Sequence, residues 1–137
     1  MSMSPLSRSA TRLSMMAAAA ALLPAAADAP TLRMLDQIEP GQWQLTEVGA
    51  TTPLRSICVR DARVLLQLRH EGVSCSRYVI ADTPGEVTVH YTCPGAGHGR
   101  TTIRRETGRL VQIDTQGIAQ SAPFSDAIEA RRIGACS

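Results

Sequence analysis

The chain has 137 residues, 44% of them hydrophobic and 19% charged, with four aromatic side chains and four cysteines. One domain of ordinary size uses that length, which excludes a multidomain enzyme, and an apolar fraction near the globular average with a net charge of +2 excludes wholesale disorder.

Residues 1–12 carry Arg8 and Arg12 and no acid, residues 13–23 form an apolar run, Pro24 breaks it, and Ala25 to Ala27 supply small residues of an A-x-A cleavage site. This order predicts a secretory signal peptide over residues 1–27. The run is shorter than the roughly 17 to 25 residues of a bilayer-crossing helix, so no transmembrane anchor is expected after processing. Cleavage is expected after Ala27, with Ala29 as the alternative that Pro30 disfavours. An organelle-targeting peptide is the competing reading, but its Arg and Ser would be spread along the whole segment. Without the signal, all twelve acids stay and twelve arginines balance them. A balanced surface offers no long-range field for nucleic acid or anionic lipid. The expected address is the periplasm or the exterior.

Residues 28–39 read as a lead-in and residues 40–136 as a disulfide-stabilised β domain. Gln42 to Thr46 alternates, so Trp43 and Leu45 share one strand face. A turn over residues 49–53 leads to a second strand over 54–59. Asp61 caps a short helix over 62–70, with Val64, Leu65 and Leu68 as its inward stripe and Gly72 as its stop.

Two strands, residues 76–82 and 86–92, flank Thr83-Pro84-Gly85. A register centred on Pro84 sets Ala81 against Val87, Val79 against Val89, Arg77 against Tyr91 and Cys75 against Cys93. A slip of one residue sets Ile80 against Val89 and Tyr78 against Tyr91, but throws the cysteines onto opposite faces. The first register predicts Cys75–Cys93, which leaves Cys58–Cys136. Four cysteines without a C-x-x-C, in an exported chain, point to disulfides rather than a redox pair or zinc knuckle.

A glycine-rich loop over residues 94–99 follows. A hairpin around Gly108 sets Ile103 against Ile113 and Thr101 against Thr115, and residues 124–130 turn Phe124, Ile128 and Ala130 inward. The sum is a mainly β fold, an antiparallel meander or curved sheet of about seven strands with one short helix and two disulfides.

Pro40-Gly41-Gln42-Trp43, Ser56-Ile57-Cys58, the Cys75 and Cys93 hairpin, Gly97-x-Gly99 and the closing Arg131 to Cys136 occur in one order. Together they resemble a family of small exported proteobacterial proteins known as a domain of unknown function, marked by a G-x-W opening and two cysteine pairs. The resemblance implies a periplasmic, β-rich, disulfide-bonded domain and brings no catalytic residue.

Three side chains stand as candidate ligand contacts: Trp43, His98 and Arg100. Trp43 occupies the apolar phase of its strand and is first a core anchor. Gly95 to Arg100 fits neither a Walker loop nor a dinucleotide fingerprint, leaving an anion nest of backbone amides with Arg100 against a plain glycine turn. His70, His90 and His98 read as solvent-facing. His90-x-x-Cys93 puts its two side chains on opposite faces, so no metal ligand set is assigned, no catalytic residue is expected, and no cofactor is implied. Ser121, His98 and Asp114 could be drawn as a triad, but no nucleophile elbow surrounds the serine. The expected function is a non-catalytic binding or envelope-associated module whose partner is an envelope protein or a small ligand. The alternative is a carrier enclosing a small apolar ligand among Leu45, Val79, Val89, Ile103, Ile113 and Ile128. A hydrolytic enzyme ranks last.

Overall fold

The computed structural model describes residues 31–137, so the signal-peptide reading of residues 1–27 lies outside the described residues. Seven antiparallel strands form one sheet: β1 (Gly41–Glu47), β2 (Arg55–Val59), β3 (Ser76–Asp82), β4 (Glu86–Cys93), β5 (Gly97–Thr107), β6 (Leu110–Ala119) and β7 (Ala122–Gly134). Their order across the sheet is β2-β1-β7-β6-β5-β4-β3. From β3 to β7 the chain is a meander, and the β1-β2 hairpin is added beside β7. The mainly β fold with two disulfides is therefore as expected, and β1 joins the first hairpin to the meander by pairing with β7.

β2 is one edge and β3 the other, so the connection between them crosses a face of the sheet. That connection carries a 3-10 helix, Ala62–His70, kinked at Gln67. Asp61 caps it by accepting a 2.9 Å hydrogen bond from the Arg63 backbone N–H. In this tighter helix Leu65 and Leu68 turn inward as expected and Leu66 joins them, whereas Val64 is 40% exposed, contrary to its place in the expected stripe. Three residues per turn, with a break at Gln67, is not the α-helical phase on which that stripe was drawn.

The segment read as a lead-in belongs to the core from Leu32 onward. A short 3-10 turn, Arg33–Gln37, buries Met34 and Leu35, with Leu32 and Ile38 buried beside it. Arg63 ties this segment to the helix through Asp36 at 3.1 Å and the Thr31 carbonyl at 2.8 Å. Trp43 is fully buried and donates its indole N–H to the Glu39 carbonyl at 2.9 Å. Trp43, Leu45, Val59, Val87, Val89, Ile103, Val111, Ile113 and Ala130 complete one continuous core between the sheet and this thin cover.

The registers agree with the alternation argument where the ladders are regular. Arg77 faces Tyr91 and Val79 faces Val89, while Ile103 faces Ile113. Between Val79 and Ala81 a bulge shifts the ladder, so Ala81 faces Thr88 and not Val87 as expected. A bulged residue has no partner, and its neighbours move by one. Both disulfides are formed: Cys75–Cys93 and Cys58–Cys136, with Cα separations of 4.2 and 5.4 Å.

Loop-closure entropy ranks the two cross-links, because they close sequence separations of 78 and 18 residues. Replacing Cys58 and Cys136 together by Ser should cost about 4 kcal/mol, and replacing Cys75 and Cys93 about 3 kcal/mol. Urea unfolding of the two double variants measures both losses, and the reverse order would show that strain or residual structure dominates instead.

The cap has a pH signature. The backbone N–H of Arg63, bonded to the Asp61 carboxylate, holds its pKa below the ordinary 3.8 despite partial burial. A depressed folded pKa contributes stability above the unfolded value that is lost as pH falls through the folded one. Asp61→Ala should therefore destabilise by about 1 kcal/mol at neutral pH. In denaturation curves taken at successive pH values, the gap from the parent should close below pH 3.8.

Candidate functional site

The alternation of each strand gives the sheet two unlike faces. Odd-numbered residues of β4, β5 and β6 pack under the 3-10 helix, while Thr88, His90, Arg100, Thr102, Asp114 and Gln116 form the opposite face. No described element covers that second face.

On its β3 side the register aligns Tyr78, His90, Arg100 and Gln116 in one row across four strands. The next row holds Thr92, His98 and Ile118. A groove of about 660 Å³ runs here, lined by Tyr78, Ile80, His90, His98, Arg100 and Ile118. Tyr78 is 73% and Ile80 45% exposed. The His90 and His98 rings meet edge to face, with centroids 5.8 Å apart. A second groove of about 510 Å³ shares Arg100 and Gln116 and continues past Thr102 and Asp114 to Glu47 and Val48.

Two of the three candidate contacts, His98 and Arg100, are brought together on this face. Trp43 is not, because its strand turns it into the core, where it is inaccessible to any ligand. Tyr78, Ile80, His90 and Ile118 were missed as contacts. Their signal was present in the 90↔78 and 98↔118 pairings, which the hairpin registers already implied.

The glycine segment is not an anion nest. β5 begins at Gly97, so Gly97 to Arg100 lie in the ladder with their amides committed to neighbouring strands. The turn before it has a different job. The Ala96 carbonyl accepts from the Gln120 N–H at 3.3 Å and lies 3.1 Å from His70 Nε2.

His70 is 3% exposed, which corrects the expectation of a solvent-facing ring. With Nε2 donating to the Ala96 carbonyl, a neutral ring accepts from the Tyr91 hydroxyl at Nδ1, 3.0 Å away. Tyr91 is buried, and burial raises its pKa above the ordinary 10.0 although the Thr115 hydroxyl acts the other way. Thr101 completes the buried polar set: it donates to the Leu66 carbonyl and accepts from the Thr115 hydroxyl, both at 2.7 Å. These bonds satisfy groups that would otherwise be buried unpaired, and they pin the crossing helix to β4, β5 and β6.

No triad is assembled. Asp114 is held by Arg104 at 2.7 Å, Ser121 sits in the β6-β7 turn, and neither bonds His98. Among the described residues, no three His, Cys, Asp or Glu side chains gather as a metal site would require. No helix of the described residues is long and apolar enough to cross a membrane. Comparison of the chain with family models, with curated proteins and with solved structures gives no match.

The sheet leaves room for Tyr91 only because Gly99 lies opposite. A Cβ at Gly99 would stand 2.5 Å from the Tyr91 ring carbon and hydroxyl. Gly99→Ala should destabilise by about 1 to 3 kcal/mol in the parent, since a buried ring has little room to yield. In a Tyr91→Ala background the same substitution should cost almost nothing. A double-mutant cycle by urea unfolding measures this coupling, and an unchanged penalty would place the strain elsewhere.

Proposed function

We propose that the protein is an exported, non-catalytic binding module of the bacterial envelope, and that its binding surface is the uncovered face of the sheet. One observation carries the reading: the core is completed on one face only, while the other keeps large apolar side chains, Tyr78 and Ile80, exposed beside a groove. Contiguous exposed apolar surface marks interaction sites more often than it occurs at random on a monomer. The two disulfides and the order of residues 1–27 support an oxidising compartment, the periplasm or the exterior.

Binding inside the curve of the sheet is the weaker alternative. Leu45, Val89, Ile103, Ile113 and Ile128 belong to the packed core and Val79 packs against it, so the residues expected to line a cavity are occupied with one another.

The test is native mass spectrometry of the protein purified from its own periplasm, with the N-terminus sequenced on the same sample. Expected are a mature chain beginning at Asp28, no cysteine labelled by alkylation without reductant, and a non-covalent adduct that Tyr78→Arg removes. Retention in the cytosol with four labelled thiols, or an adduct indifferent to Tyr78→Arg but lost on enlarging Ile113 to Trp, would overturn the reading.

A further inference from the structure

Arginine is the only basic residue besides histidine in this chain, and almost every arginine from β3 to β7 has a partner. Arg77 bonds Gln67, Arg104 bonds Asp114, and Arg105 bonds the Pro84 carbonyl. Arg109 bonds Glu39, Arg131 bonds Glu129, and Arg132 bonds the Pro40 carbonyl. Arg100 stands apart. Among the described residues it makes no side-chain hydrogen bond and no ion pair, although it sits in the middle of the uncovered face.

The acids that could neutralise it are engaged or out of reach. Asp114 bonds Arg104 through Oδ2 and makes no ion pair with Arg100, and Asp126 is bound at both oxygens by Arg69, at 2.6 and 2.7 Å. Glu47 lines the far end of the second groove and lies beyond ion-pair distance of Arg100. On the other side of Arg100 stand two imidazoles, His90 and His98, each with at least one N–H to donate. Beyond His90, on β3, are the apolar surfaces of Tyr78 and Ile80, and Ile118 stands on the opposite flank, on β6 beside His98.

A free guanidinium is a fork matched to a carboxylate or sulfonate, and here it borders an apolar wall within one groove of the size that holds a small organic molecule. We propose that this groove binds a single amphipathic organic anion, its charged head on Arg100 with His90 and His98 and its apolar body running across β4 to Tyr78 and Ile80, with Ile118 flanking the head. The inference rests on the uncovered face being the binding surface, and it adds the ligand's chemical class. A free molecule fits better than a membrane surface, because lipid surfaces are held by clusters of basic residues and this face offers one unpaired arginine.

The experiment is displacement of the fluorescent anion 1-anilinonaphthalene-8-sulfonate from the full oxidised chain by dodecanoate and by dodecanol, both below the concentrations at which they aggregate. Dodecanoate should compete about tenfold more strongly than dodecanol, the scale expected for one charge-assisted contact at an accessible site. Arg100→Gln should abolish that preference and leave dodecanol within about twofold, whereas Ile80→Ser should weaken both. Unchanged circular dichroism and blocked thiols establish that each variant is folded.

Equal competition by acid and alcohol, or a preference that survives Arg100→Gln, would overturn the anion class while leaving the face as a binding surface. No competition by either amphiphile overturns the proposal outright, and the periplasmic adduct experiment then judges the face independently. Binding seen only to sedimented phosphatidylglycerol vesicles also overturns it, in favour of a lipid surface.

Discussion

A chain that leaves one edge of an open sheet and resumes at the other must cross a face of that sheet, and here the crossing segment is also the lid of the core. Residues 60–75 run from β2 to β3. On the way they lay Leu65, Leu66 and Leu68 over Val89, Ile103 and Ile113. A 3-10 helix this short has little stability of its own. It persists because its leucines are buried and because Thr101 and the Tyr91-His70 pair give its backbone and side chains fixed polar partners. Without that crossing, the 3-10 turn Arg33–Gln37 alone would cover this face among the described residues.

The same economy explains why the opposite face is open. Among the described residues, one crossing segment and one short 3-10 turn are there to cover a seven-stranded sheet, and both lie on the same side. Strand alternation then makes the second face polar near β7 and β1, where Gln112, Glu129 and Arg131 bond one another. The pattern changes at Tyr78 and Ile80 on β3 and at Ile118 toward the end of β6, which interrupt the polar rows. That local change of composition gives the face a place rather than merely an area. Arg100 lies at the boundary between the two regimes, so its lack of a counter-charge is a property of position as much as of residue type.

Much of this was legible from the residues. The hairpin centres at Pro84 and Gly108 correctly placed Val79 with Val89 and Ile103 with Ile113, because a period of two leaves few registers that bury one face. The disulfide Cys75–Cys93 followed from the same reasoning. What escaped it depends on partners distant in sequence. The bulge beside Ile80 leaves no mark in the alternation of its own strand. The burial of His70 requires Tyr91 and Ala96, and that of Met34 and Leu35 requires the crossing helix. The groove is the clearest case: His98 and Arg100 were visible singly, but a surface built from four strands appears only once the strands are set side by side.

The two cross-links occupy particular places in this arrangement. Cys58 lies on β2 and Cys75 immediately precedes β3, so each rim of the sheet is stapled, and the crossing segment is fastened at both its ends. A rim strand has hydrogen-bond partners on one side alone, which makes it the first to peel away and the first to template a neighbouring copy. Sulfur oxidation thus guards the molecule's two zippers. With the four thiols reduced, both borders lose their staples and are free to open and pair with other copies, so sulfur oxidation bears on self-association as well as on shape.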